Sequence, residues 1–268
     1  NKNIKIKGNV SSQYLTSLLI AAPLCKQHLK IQIIGKLVSK PYIEITLKLL
    51  KKFGIKYQNN KWKNFTLKSP SSFKNPKKIQ VEGDASSASY FFAAGAIAGS
   101  VEVNNINKSS IQGDLEFLNI IKKMGAKITY LPNSIKVSKK YQLKGMVIDC
   151  INIPDTAMTL AILALFAKGT TTLTSIESWR VKETDRILAM KTELKKLGAS
   201  VKTSKSSITI KPPKEINNNI TIDTYDDHRM AMCFSLICLA NKNIIINDPE
   251  CTNKTYPNFF KDFESVIV

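Results

Sequence analysis

The sequence predicts an α/β protein made of α+β repeats, each a βαβαββ unit. Three observations carry that prediction. One amphipathic pattern recurs at residues 47–56, 118–127 and 192–200, each copy with lysines in its last turn and a glycine (Gly54, Gly125, Gly198) just past its end. Basic side chains suit the negative end of a helix, and glycine suits the left-handed residue that stops one. Each copy leads into a strand, a polar turn and a second strand, the second strands falling at 64–68, 134–137 and 207–211. A different helix type precedes each copy: 12–22, 85–98, 156–168 and, once more, 228–240 are rich in alanine and other small or apolar residues. Such helices are expected to be packed on more than one side.

Taken in order, the first unit covers residues 2–68. It has a charged opening strand, the helix 12–22, a strand at 30–34, a helix entered through Pro41, and the hairpin. Residues 69–78 are polar, contain Pro70 and Pro76, and make the best candidate linker. The second unit, 78–138, has its small-residue helix ended by Gly99 and a strand at 100–103. The third, 145–212, repeats this with Gly169 and a strand at 170–173. A fourth starts near 219, with a strand at 243–247 and a second helix opened by Pro257, and stops before its hairpin. Two domains are expected, 1–76 and 77–268. The chain enters its first strand with no initiator methionine, so it is expected to be a piece of something longer.

At 268 residues and 43% hydrophobic composition, real cores can form and wholesale disorder is excluded. The longest apolar runs, such as 160–167, fall far short of a membrane span, and the first six residues lack the pattern of a signal peptide. Five cysteines without CxxC spacing read as reduced thiols, which points to the cytoplasm. With two histidines, His28 and His228, a histidine-built zinc site is not expected. The net charge of +20 raises nucleic-acid binding as an alternative. The lysines are spread over the polar positions of most elements, without interleaved aromatics, and read instead as a solvated surface.

The unusual residues gather where helices begin. Residues 10–13, 83–87, 154–156 and 227–229 open the small-residue helices; 38–42, 179–186 and 251–255 open the amphipathic ones. Free N–H groups and the helix dipole attract anions there, although Ser, Thr and Asp also cap helices with no ligand involved. Arginine narrows the choice. Among 40 basic residues only Arg180, Arg186 and Arg229 are arginine. A guanidinium is a planar fork that grips carboxylate or phosphate through two parallel bonds. Arg180 can equally serve a structural ion pair, whereas Arg186 and Arg229 suit a small dianion. Asp155 and Glu183 are the candidate proton-transfer carboxylates.

The segments VSSQYL, LVSKPYI, VEGDASSASYF, IPDTAMT, WRVKETDR, YDDHRMAMCFSL and CTNKTYP resemble the 5-enolpyruvylshikimate-3-phosphate synthases, from Ser11 to about Phe259 and in order. The resemblance implies the enolpyruvyl transferase fold: two domains, each of three such units in pseudo-threefold arrangement. The present chain would be the end of the first domain and most of the second. It also implies transfer of the enolpyruvyl group of phosphoenolpyruvate to the 5-hydroxyl of shikimate 3-phosphate, with release of phosphate. No metal or organic cofactor, nucleic acid or membrane is implied, and the protein would be a monomer. By the same resemblance, Ser11, Ser12 and Ser39 would hold the shikimate phosphate, with Tyr42 nearby. Gln13 would touch both substrates. Asp155 would accept the hydroxyl proton, and Lys182 would contact the shikimate substrate. Glu183 would exchange a proton with the methylene carbon. Arg186 and Arg229 would clamp the phosphoenolpyruvate carboxylate, and Lys254 would meet its phosphate. Two departures stand out. Ser178 replaces an asparagine common in the family, and the family's N-terminal Lys and Arg residues have no counterpart. The chain alone is therefore expected to be inactive. The alternative is an anion- or nucleic-acid-binding module on the same fold without catalysis.

Overall fold

The computed structural model describes residues 2–267. It divides into two compact units, one running to Val81 and taking in Ile111–Gly113, the other comprising Glu82–Ser110 and Asp114 onward.

In the first unit the order is β1 (Lys2–Lys7), α1 (Ser12–Ala21), β2 (Leu29–Ile34), α2 (Lys40–Lys52), β3 (Tyr57–Asn60) and β4 (Asn64–Leu67). Strands β1 and β2 are parallel, β4 is antiparallel to β2, and β3 closes the hairpin on β4. Alternation drives the register: Leu29, Ile31 and Ile33 of β2 are buried while Lys30, Gln32 and Ile34 are exposed. The buried face meets Leu15 and Leu19 of α1 and Ile43, Leu47 and Leu50 of α2. Gly54 adopts φ +79° past α2, the left-handed turn its position requires. The expectation that helix 12–22 is packed on several sides is corrected here. Only Ser12, Leu15 and Leu19 of α1 are buried, and Tyr14 and Ile20 are more than half exposed. Among the described residues of this unit, no second helix of its own kind covers them.

The second unit repeats that topology. Its elements are α3 (Ala85–Ala98), β5 (Ser100–Asn104), α4 (Glu116–Met124), β6 (Lys127–Tyr130) and β7 (Ser134–Ser138); then β8 (Val147–Asp149), α5 (Ala157–Leu163), β9 (Thr171–Thr174), α6 (Arg186–Lys196), β10 (Ser200–Thr203) and β11 (Ile208–Lys211); then β12 (Ile220–Ile222), α7 (His228–Phe234), β13 (Ile244–Ile246) and α8 (Phe259–Glu264). The sheet order β8-β9-β11-β10 matches β1-β2-β4-β3 strand for strand. Among the described residues the middle copy has only β5-β7-β6, with no strand before α3. The last copy has the parallel pair β12-β13 and then α8.

Helices α3, α5 and α7 form the centre of this unit. All seven residues of α5 are buried, as are most of α3 and α7. Small side chains let them approach: Ser89 Oγ and Thr159 Oγ1 lie 2.9 Å apart, and Thr159 Oγ1 is 3.8 Å from Cys233 Sγ. At Gly95 a Cβ would meet the Val137 carbonyl oxygen at 2.5 Å, so only glycine lets α3 sit this close to its sheet. Three expected helix ends are corrected. The α-helical part of 156–168 stops at Leu163 and tightens into a 3-10 turn over Ala164–Phe166; that of 228–240 stops at Phe234 before Ser235–Ala240. Tightened last turns still pair their carbonyls while changing the chain's direction. Helix α8 begins at Phe259, so Pro257 precedes its N-cap Asn258.

Candidate active site

Two loops and two helix starts of the larger unit build the site. The loop after β8 leads through Pro154 to Asp155, just ahead of α5. Its path is fixed by the fully buried Trp179, whose Nε1–H donates to the Pro154 carbonyl at 2.6 Å. Trp179 belongs to a 3-10 turn, Glu177–Val181, after which Lys182 and Glu183 lie in a bend and Asp185 caps α6 by accepting from the N–H groups of Ile187 and Leu188. Arg186 is the first residue of α6. The turn after β12 delivers Asp227, which caps α7 by accepting from the Arg229 N–H at 2.9 Å.

Arg186 is the hub. Its side chain is fully buried, which an unpaired cation could not tolerate. Nε donates to Asp227 at 2.7 Å, Nη1 to Asp155 at 3.0 Å and Nη2 to Glu183 at 2.8 Å. Arg229 Nη2 donates to the other Asp155 oxygen at 3.1 Å, and its Nη1 donates to the Tyr90 hydroxyl at 3.2 Å. Lys182 Nζ lies 3.5 Å from Asp155, and Lys254 Nζ donates to Glu183 at 2.7 Å. Six residues expected to act together thus converge: Asp155, Lys182, Glu183, Arg186, Arg229 and Lys254.

The electrostatics follow from this pairing. Burial alone would push the Asp155 carboxyl up, but Arg229, Lys182 and Arg186 outweigh it and hold the group well below the usual carboxylate range. Burial also works to raise Glu183, and the Lys254 bond and Arg186 charge overcome it, leaving the group at about 2. Burial of Arg186 opposes its charge, and Asp227 and Asp155 more than restore it. His228 goes the other way: burial first and the Arg229 charge next hold it at about 4, so it is neutral near pH 7. Among the described residues, no group of three or more His, Cys, Asp or Glu side chains is arranged to hold a metal ion.

The remaining expected residues belong to the first unit. Ser11 caps α1, accepting from the Gln13 N–H at 3.2 Å; Ser12 is buried at the helix start and Gln13 is exposed. Ser39 is the N-cap of α2 in a left-handed conformation (φ 54°), and Tyr42 lies in the first turn of the same helix. Arg180, open on sequence alone, is a structural pin: its guanidinium donates to Asp185 at 2.8 Å and to the Lys205 and Ser204 carbonyls. Two participants were not among the expected site residues. Asp227 carried a sequence signal, an aspartate before a small-residue helix. Tyr90 carried none, because it sits inside the apolar run of α3.

The family model described as EPSP synthase (3-phosphoshikimate 1-carboxyvinyltransferase) matches residues 1–263. The chain belongs to the EPSP synthase family. Curated relatives bearing the name 3-phosphoshikimate 1-carboxyvinyltransferase include one from Marinomonas sp. (strain MWYL1), 50% identical over 264 residues. Another, from Haemophilus influenzae (strain PittGG), is 52% identical over 266 residues. These matches cover 98% and 99% of this chain but 62% and 61% of the relatives, so the chain spans under two thirds of their length. Solved structures share the fold. An EPSP synthase from Acinetobacter baumannii superposes with a TM-score of 0.81 at 24% identity, over 98% of this chain and 62% of that one. The enolpyruvyl transferase NikO from Streptomyces tendae does so with a TM-score of 0.77 at 14% identity, over 99% and 64%.

Proposed function

We propose that this chain carries the acid–base and carboxylate-binding half of an enolpyruvyl transferase. The reaction joins the enolpyruvyl group of phosphoenolpyruvate to the 5-hydroxyl of shikimate 3-phosphate and releases phosphate. The observation that carries the reading is the convergence of two carboxylates and four cations, two of the cations being the forks of Arg186 and Arg229. We read the smaller unit as the close of a first enolpyruvyl transferase domain and the larger as most of a second.

The pairing suggests how the chemistry is switched on. In the resting chain the forks and lysines are spent on Asp155 and Glu183, which makes both carboxylates weak bases. Phosphoenolpyruvate brings a planar carboxylate for Arg186 and Arg229 and a phosphate for Lys254. Each cation drawn to the substrate releases a protein carboxylate, whose proton affinity then rises toward the range useful near neutral pH. Asp155 takes the 5-hydroxyl proton as the oxygen attacks C2 of phosphoenolpyruvate, and Glu183 supplies a proton to the methylene carbon. In the elimination Glu183 takes a proton back from the methyl carbon, the C–O bond to phosphate breaks, and Asp155 gives the hydroxyl proton up to the departing phosphate. Lys182 holds the shikimate substrate, Ser11, Ser12, Ser39 and Tyr42 are assigned to the shikimate phosphate and its surroundings, and Gln13 to both substrates. A nucleic-acid partner is disfavoured because carboxylates 2.7–3.1 Å from the key cations would repel a phosphate backbone.

The test is phosphate release from the two substrates. The 268-residue chain alone should show none. Joined to the stretch of the Haemophilus influenzae relative that it does not span, it should turn over. In that chimera Asp155→Asn or Glu183→Gln should each lower kcat by about 10²–10⁴-fold. Turnover unchanged by both substitutions would overturn the assignment.

A further inference from the structure

Arg186 is not the only residue of α6 that holds the segment carrying Asp227. Seven positions later, two helical turns along the same face, stands Glu193. Its side chain is fully buried, an unusual place for a glutamate in a chain this rich in solvent-exposed charge. One carboxylate oxygen accepts from the Tyr225 hydroxyl at 2.7 Å; the other accepts from the Asp223 N–H at 3.2 Å and pairs with Lys196 at 2.8 Å. Lys196 in turn reaches Asp223 at 2.8 Å and the Thr221 carbonyl at 3.2 Å, and Asn247 donates to Asp223 at 2.7 Å.

The segment held this way is strained. Tyr225 and Asp226 have φ of +56° and +55°, two consecutive left-handed residues, neither of them glycine. Side chains with a Cβ take up that conformation in tandem only where surrounding bonds over-determine it. The residue that follows is Asp227, which meets Arg186 and caps the helix bearing Arg229. Burial first, and the Glu193 carboxylate next, push the Tyr225 hydroxyl up to about 12, so it remains a donor at every physiological pH.

We infer that Glu193 and Tyr225 are positioning residues: they lock the left-handed turn at 225–226 so that Asp227 meets Arg186 and both arginine forks point at Asp155. One helix therefore sets the turn at two places, through Arg186 at its start and Glu193 two turns on. As a statement about catalysis this rests on the function proposed above; as a statement about geometry it does not.

The arginine count makes a direct test possible. With three arginines in the chain, a ¹H–¹⁵N spectrum of the guanidinium Nε–H groups holds at most three signals, assignable through Arg180→Lys and Arg229→Lys. The Arg186 signal reports the 2.7 Å bond to Asp227, and the Arg180 signal reports the bond to the Lys205 carbonyl. Tyr225→Phe and Glu193→Ala should each cut the exchange protection of Arg186 Nε–H by tenfold or more and leave Arg180 unmoved. Glu193→Gln, which keeps an acceptor oxygen for Tyr225, should lie between Glu193→Ala and the parent. A general loss of stability would lower both signals together. If Arg186 protection holds in folded Tyr225→Phe protein, or falls in step with Arg180, the inference is wrong; should Glu193→Ala not fold, Tyr225→Phe decides alone. No substrate is needed, so a failed turnover assay would count against the proposed function and leave this result standing.

Discussion

The pair Arg186–Asp227 should be the most strongly coupled ion pair in the larger unit. Both side chains are fully buried and are joined at 2.7 and 3.3 Å. Asp227→Ala leaves Arg186 Nε without its partner in a place water does not reach, and breaking such a pair from one side costs about 3–5 kcal/mol. The same substitution removes the cap of α7, worth about 1 kcal/mol more. Arg186→Met strands Asp227, Asp155 and Glu183 in part and should cost a similar amount. Made together, the two changes remove both charges, so the double variant should be more stable than the sum of the singles by about 2–3 kcal/mol. The control is Arg180–Asp185, whose side chains are 38% and 33% exposed; its coupling should stay under about 1 kcal/mol. Urea unfolding followed through Trp179 fluorescence, with Trp62 replaced by Phe, measures the larger unit. Additive losses for Arg186 and Asp227, or a cost for Asp227→Ala below about 1 kcal/mol, would refute the claim that the buried charges are held by each other.

Other outcomes follow from single contacts. His228 stays neutral down to about pH 4, whereas an unfolded histidine takes up its proton near 6.5; the unfolded state binds more protons between those values, so stability should rise with pH across 4–6.5, and His228→Asn should flatten that slope in urea midpoints. Glu183 is lowered from 4.5 to about 2, so its contribution is present above 4.5 and lost as pH falls toward 2; Glu183→Gln should remove that acid-limb loss. Tyr90→Phe deletes the buried acceptor of Arg229 Nη1 and should cost about 1 kcal/mol by thermal melting, with no change in fold by circular dichroism. Gly95→Ala drives a methyl to 2.5 Å from the Val137 carbonyl oxygen and should cost about 1–3 kcal/mol in the same melt.

Much of the fold was legible because its signals are local. Lysines in a last turn followed by glycine marked the ends of α2, α4 and α6, and the structure has Gly54, Gly125 and Gly198 at positive φ in those places. Helix α3 matches its expected span because Asp84 caps one end and Gly99 closes the other. The late parts of helices 156–168 and 228–240 were not legible. No capping residue separates Leu163 from Ala164 or Phe234 from Ser235, and the tightening there is imposed by packing among central helices rather than by sequence. Helix α1 shows the converse. Its composition matches α3, α5 and α7, yet burial comes from neighbours, and among the described residues of its unit its outer face has none of its own kind.

At the site, the sequence marked which residue types were scarce but not whom they would meet. The two short motifs holding Arg186 and Arg229 are 41 residues apart at Arg186 and Asp227, a distance that only the β12–α7 turn closes. That turn has no glycine, and Tyr225 gives no sign of a left-handed residue; the turn is held by Glu193, a residue that reads as one more surface charge in an amphipathic helix. The same encounter changes what the forks are. An arginine free to receive a ligand and an arginine bound to three carboxylates look alike in sequence, and Arg186 is the second. The substrate assigned to it under the proposed function must therefore offer more than a carboxylate in water would. It must replace Asp155 and Glu183 while Asp227 stays in place, since Asp227 alone meets the guanidinium edge at Nε and is itself buried. Under the proposed function, a planar substrate carboxylate reaching Nη1 and Nη2, where Asp155 and Glu183 now bind, satisfies that requirement and frees the two acids assigned to proton transfer in the same step.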